Sequence, residues 1–168
     1  MPIDVTDASF EADVLDRSEQ VAVVVDLWAP WCGPCLQLGP ILEKVIDETG
    51  GKVVLVKINV DDNPQASAMF RVQGIPAVYA LRDRRVVNGF VGAQGEAAVR
   101  TFVESLLPTE EESLIESLLS AGDEDSLRRA FELEPANDVV ICALADLLVE
   151  TGRGPEALAL LGLMLWPF

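Results

Sequence analysis

The sequence predicts an α/β domain, a central mixed sheet flanked by helices, followed by a smaller all-α segment. Three observations predict it. Apolar, β-branched runs alternate with helical periodicity as far as Leu107; a Cys-x-x-Cys pair, Cys32 and Cys35, stands where the first of those runs passes into a helical pattern; and composition changes after Pro108. The expected domains are therefore 1–107 and 108–168.

Taken in order, Val21 to Leu27 and Val53 to Asn59 are runs of the kind found in strands covered on both faces. Between them a helix is expected from about Cys32 to Glu48, bent at Pro40 and ended by Gly50-Gly51. Asn63 is a capping residue and Pro64 a first-turn proline, opening a short helix to about Phe70. Ala77 to Leu81 and Val86 to Val91 read as a hairpin around residues 82–85, and Glu96 to Leu107 as an amphipathic helix.

Beyond Pro108 the pattern is helical throughout. Glu111 to Ala121, Asp123 to Leu133, Asn137 to Glu150 and Pro155 to Met164 are separated by Gly122, Pro135 and Thr151-Gly152-Arg153-Gly154. A 34-residue tetratricopeptide register places Leu144, Ala145, Gly152 and Ala157 at its characteristic positions, with Ala130 and Pro135 closing a preceding, degenerate repeat that has Asp123 where a small residue is wanted. Since roughly three such repeats are needed for a free-standing array, this segment is expected to lean on the first domain, to pair with another chain, or to be the shortened stub of a longer array. The apolar ending Leu163-Met164-Leu165-Trp166-Pro167-Phe168 points to truncation or to a docking surface. Cys142, within the apolar stretch Val139 to Val149, is expected to fill space in the core.

Charge narrows the function classes. Residues 108–168 have no lysine, three arginines and thirteen acids, a balance of −10, and residues 1–107 have nine basic against fifteen acidic side chains, −6, which together make the −16 of the chain. Nucleic acids and anionic membrane surfaces are poor partners for such a protein, because phosphate binding needs cationic neutralisation. An electrostatic partner should be basic. No apolar run approaches the roughly twenty residues that span a bilayer. The acidic start, with Asp4, Asp7, Glu11, Asp13 and Asp16, lacks a basic segment leading into an apolar core, so a cytoplasmic location is expected.

The cysteine pair supplies the chemistry. At a helix N-terminus Cys32 would face unpaired backbone N–H groups, which favour thiolate and make it the nucleophile toward a substrate disulfide. Cys35, one turn on, would then resolve the mixed disulfide. Gly33 and Pro34 keep the turn between them compact. A zinc site would need two further ligands, and the chain has no histidine and only one other cysteine, Cys142. A permanent staple would suit a secreted domain, and a chance pair at a helix start is the remaining alternative. Asp26 lies within an apolar run, where burial would raise its pKa and suit it to accept a proton; otherwise it is an edge or solvent-facing acid.

Val25-Asp26-Leu27-Trp28-Ala29-Pro30-Trp31-Cys32-Gly33-Pro34-Cys35, then Lys57-Ile58-Asn59-Val60-Asp61, Gly74-Ile75-Pro76 and Gly92, resemble the thioredoxin family in order and spacing over about residues 1–107. The resemblance implies the thioredoxin fold and protein-disulfide reductase activity, with the Cys32–Cys35 redox disulfide in place of any cofactor and no metal. It implies that Asp26, with Lys57 nearby, assists deprotonation of Cys35. It also implies a cis Ile75–Pro76 bond beside Cys32, and a substrate-binding rim in which Trp31, Ile75, Gly92 and Ala93 surround the Gly33-Pro34 turn, with Trp28 packed beneath. Leu36 departs from the lysine common in the family and makes the mouth more apolar. A thioredoxin domain with tetratricopeptide-like helices is similar to the bacterial chaperedoxins. That similarity implies client proteins with cysteines or unfolded segments and a chaperonin or Hsp70 system as partner, with a thioredoxin reductase as a further partner class. The alternative readings are a holdase or adaptor with incidental redox activity, or a general thioredoxin reductant with an inert tail.

Overall fold

The β-branched run in the first third of the chain becomes the middle of the sheet, where a strand is covered on both faces. The computed structural model describes residues 2–162. Its strands are β1 (Ile3–Asp4), β2 (Ala22–Trp28), β3 (Val53–Asn59), β4 (Ala77–Arg82) and β5 (Arg85–Val91), in spatial order β1-β3-β2-β4-β5. The pairs β1–β3 and β3–β2 are parallel, while β4 runs antiparallel to both β2 and β5. The sheet is therefore mixed, as the order of elements predicts. Helices α1 (Gly33–Asp47), α2 (Pro64–Met69) and α3 (Glu96–Glu104) complete the expected pattern.

Alternation along β2 sorts its side chains between two cores. Ala22 and Val24 join Leu38, Leu42, Val45, Val99 and Phe102 under α1 and α3, whereas Val23, Val25 and Leu27 join Val5, Phe10, Val14 and Ala66 on the other face. Asp26 belongs to the first row. It therefore lies on the α1 side of the sheet. The strand β1 and the helical winding over Glu11–Asp16 and Arg17–Glu19 were not anticipated from sequence, since so many acids hide the short apolar signal of Val5, Phe10 and Val14.

Two local expectations need correction. The Asn63 side chain makes no capping hydrogen bond to α2. Instead the Asp7 carboxylate accepts from the backbone N–H groups of Gln65 (3.1 Å) and Ala66 (2.8 Å), while Asn63 Oδ1 accepts from the Asp7 N–H at 2.9 Å. The cap thus comes from the start of the chain. Pro40 stands inside α1, which runs from Gly33 to Asp47 as expected, and its side chain is exposed. The hairpin closes more tightly than expected, on Asp83 and Arg84 alone, both with positive φ (51° and 60°). Their N–H groups donate to the carbonyl and hydroxyl of buried Ser18 at 2.8 Å each, which offsets the cost of the left-handed conformation.

Contacts divide the chain into two compact units, Met1–Leu107 and Pro108–Phe168. In the second, α4 (Glu110–Ala121), α5 (Glu124–Leu133), α6 (Asp138–Glu150) and α7 (Gly154–Leu161) pack in sequence order. Thr109 and Glu112 form a capping box, Gly122 ends α4 at φ 69°, and Asp123 caps α5 through the Ser126 N–H. Asp123 is thus a helix start, not a packing position. Leu127, Leu144, Ala145, Leu148 and Ala157 make one core cluster, and Ile115, Ala130 and Val140 a second. Cys142 is exposed, contrary to expectation. The buried stripe of α6 follows Val140, Ile141, Leu144, Ala145 and Leu148 at helical spacing, which turns position 142 outward. The expectations placed on residues 163–168 lie outside the described residues. Among the described residues no helix is long and apolar enough to cross a membrane.

Replacing the long-range cap tests this account of α2. Asp7→Ala should cost about 1 kcal/mol of stability, read as a lower urea midpoint with an unchanged slope, whereas Thr6→Ala at the neighbouring position should cost less.

Candidate active site

Cys32 is the N-cap of α1, with extended backbone (φ −84°, ψ 95°), and its Sγ accepts the Cys35 N–H at 3.2 Å. Gly33 and Pro34 fill the first turn, where proline costs no intrahelical hydrogen bond. The two sulfurs are joined in a disulfide, with Cα atoms 5.3 Å apart. Both cysteines are buried, at 4 % and 3 % exposure, against Ala29 with Trp28, Val60 and Ile75 alongside. The backbone N–H groups at this helix start supply the positive potential that stabilises a thiolate once the bond is reduced.

The residues expected around the pair fall into distinct places. Trp31 is 69 % exposed, and its Nε1 donates to Asp61 Oδ2 at 2.8 Å. The Ile75–Pro76 bond is cis, and the Pro76 carbonyl accepts the Gly92 N–H at 2.8 Å. Gly92 has φ 93°, so its lack of a side chain is what allows that turn. Ala93 is exposed beside it. Leu36 is 55 % exposed and Leu38 is 1 % exposed, so of these two only Leu36 contributes to the apolar mouth.

Behind the disulfide lies a charged group in an apolar setting. Asp26 is 1 % exposed, and its Oδ1 has no hydrogen-bond partner. Burial raises its pKa from 3.8 to about 6, against the opposing pull of Lys57 and with a smaller push from Glu43. Lys57 is its register partner on β3, which brings both side chains to the same face of the sheet. Yet the Lys57 Nζ pairs with Glu43 Oε1 at 3.0 Å and lies 5.2 Å from the centre of the Trp28 ring. Asp26, Trp28, Cys35, Leu36, Gly39, Pro40, Glu43 and Lys57 line one crevice of about 210 Å³.

Glu43 is a polar residue of this site that sequence reasoning did not single out, and Asp61 entered there only within a family motif, without its bond to Trp31. A signal for Glu43 was present, because Cys35, Gly39 and Glu43 repeat every four residues and so share one face of α1. Among the described residues no cluster of three or more histidine, cysteine or acidic side chains could hold a metal ion.

The thioredoxin family model matches residues 1–105. Thioredoxin from Mycobacterium tuberculosis is 41 % identical over 106 residues, 63 % of this chain and 90 % of that protein. Thioredoxin from Streptomyces clavuligerus is 48 % identical over 95 residues, 56 % of this chain and 86 % of that one. The Mycobacterium leprae protein named bifunctional thioredoxin reductase/thioredoxin is 41 % identical over 106 residues, which are 23 % of its length and 63 % of this chain.

A raised carboxyl pKa makes stability depend on pH. The folded protein binds the Asp26 proton more tightly than the unfolded chain, so the stability this gives is complete below pH 3.8 and is lost as pH rises through about 6. The loss amounts to about 3 kcal/mol at roughly 1.4 kcal/mol per pH unit. Urea unfolding of the oxidised Asp26→Ala variant should lack this decline and be more stable than the parent above pH 6.

Proposed function

The chain belongs to the thioredoxin family, and from that premise we propose that this thiol-disulfide oxidoreductase reduces disulfide bonds in other proteins. The carrying observation is the Cys32–Cys35 bond at the start of α1 with a buried, unpartnered carboxyl behind it. In the reduced protein the Cys32 thiolate attacks one sulfur of a client disulfide. A Cys32–client bond forms, and the client's other sulfur leaves with the electron pair and takes up a proton. Asp26 then accepts the proton of Cys35. The Cys35 thiolate attacks Cys32 Sγ, so the bond seen here forms and the second client sulfur departs as a thiol. The client gains two electrons and the protein loses two.

Several features support the finer parts of this reading. We read the exposed Trp31 ring, next to Cys32 in sequence, and the turn held by the Gly92 to Pro76 hydrogen bond as parts of an apolar rim for an extended client segment. Gly33, Pro34, Ile75, Gly92 and Ala93 complete that rim. A return to the dithiol requires an external reductant, for which a thioredoxin reductase is the natural class, as the fusion named in Mycobacterium leprae suggests. A reducing compartment such as the cytoplasm suits net reduction. Exposed Leu36 and the four-helix second unit favour an added role in holding unfolded clients, in the manner of a tetratricopeptide-bearing co-chaperone that passes them to a chaperonin or Hsp70 system.

Insulin reduction driven by dithiothreitol tests the chemistry. The parent protein should accelerate it, Cys32→Ser should fall to the uncatalysed rate, and Cys35→Ser should accumulate mixed disulfides; no acceleration by the parent would refute the reading. For the client-holding role, Cys32→Ser should still suppress aggregation of a cysteine-free client as well as the parent does.

A further inference from the structure

The lysine beside the buried carboxyl is engaged elsewhere. Asp26 and Lys57 are adjacent across β2 and β3, and a cation so placed could form an ion pair with Asp26. Such a pair would hold the carboxyl ionised and make it a poor proton acceptor. In this structure the Lys57 ammonium instead pairs with Glu43 Oε1 of α1 at 3.0 Å, while Asp26 Oδ1 has no partner.

Gly39 sits between Cys35 and Glu43 on the same face of α1, and the Lys57 ammonium passes beside it: a Cβ there would lie in ordinary contact, 3.5 Å from Nζ. The Trp28 ring, 5.2 Å from the same nitrogen, supports the ammonium from another side. Glu43 is only partly buried, so its charge is hydrated in a way that the charge of Asp26 is not. The cation therefore rests on the carboxylate that is cheaper to keep ionised.

Resting on the reading of Cys35 as the resolving thiol, we propose that Glu43 is a positioning residue: by holding the Lys57 ammonium on its own carboxylate it keeps that cation off Asp26 and leaves Asp26 free to take the Cys35 proton. The step it serves is the closing one. Cys35 Sγ–H gives its proton to Asp26, the Cys35–Cys32 bond forms, and the Cys32–client bond breaks with its electron pair on the client sulfur. Glu43 touches neither sulfur. It acts through Lys57.

The charged and titratable groups that face Asp26 are Lys57 from β3, Glu43 from α1 and, when reduced, Cys35; its neighbour on β4 is the uncharged Val78. In Glu43→Gln the ammonium is released toward Asp26, and the loss of one negative charge acts in the same direction. Carbon-13 NMR titration of the Asp26 carboxyl in the oxidised protein should show its midpoint move down by about one pH unit. Lys57→Met should move it up, and adding Glu43→Gln to Lys57→Met should then lower it by clearly less than Glu43→Gln does alone, since only the direct charge effect remains.

The reaction is read from a mixed disulfide of thionitrobenzoate with Cys32, whose coloured thiol is released when Cys35 attacks. Glu43→Gln should move the acid limb of that release to lower pH and slow its plateau severalfold. The proposal fails if the Asp26 midpoint stays in place, if it moves equally with and without Lys57, or if the release profile does not follow it. Because the titration needs no client, a parent protein inactive on insulin would overturn the functional reading while the ion-pair device remained separately tested.

Discussion

One ionisable group kept out of water organises the reactive end of this protein. Asp26 continues a row of side chains that is otherwise apolar, and the packing of α1 against that row removes it from solvent. Burying a carboxyl without a hydrogen-bond partner costs stability that an apolar residue would not. The fold tolerates the cost because the rest of β2 is packed on both faces, in two separate apolar clusters. The same helix that covers Asp26 presents Cys32 and Cys35 at its start, so the position of the disulfide and the isolation of the acid follow from a single packing contact.

Much of the architecture was legible because it is written in local patterns. The β-branched runs, the helix starting at the cysteine pair and the hairpin are encoded in stretches of six to fifteen residues. The mixed sheet and its flanking helices follow from them. What was not legible depends on residues far apart in sequence. Asp7 replaces Asn63 as the cap of α2, and Ser18 secures a hairpin tip that has no glycine, contacts visible only once the sheet has brought distant segments together.

The site shows the same division. The chemistry of Cys32 and Cys35 is contained in four consecutive residues, and a lone acid in an apolar run marks Asp26. The Lys57–Glu43 pair depends on strand register and on which face of α1 passes over the sheet, so neither residue alone signals it. Cys142 was misplaced for a related reason. The stretch Val139 to Val149 is apolar nearly all round, so its composition does not mark which side faces inward, and helical phase turns position 142 of α6 to solvent. In the second unit, ion pairs linking Glu124 with Arg153 and Arg128 with Glu156 tie α5 to the turn and helix that end the described chain, but exposed pairs of this kind add little stability. Its apolar clusters do most of the holding.

The reciprocal bonds between Asp7 and the start of α2 have a kinetic meaning as well as a structural one. A six-residue helix has almost no persistence by itself in water. Its first free amides, those of Gln65 and Ala66, are shielded by an acid more than fifty positions upstream. Solvent deuterium can therefore reach them as soon as the leading segment peels from the sheet edge, long before the central strands separate. Those two amides serve as built-in reporters of fraying at the chain's beginning, distinct from global unfolding.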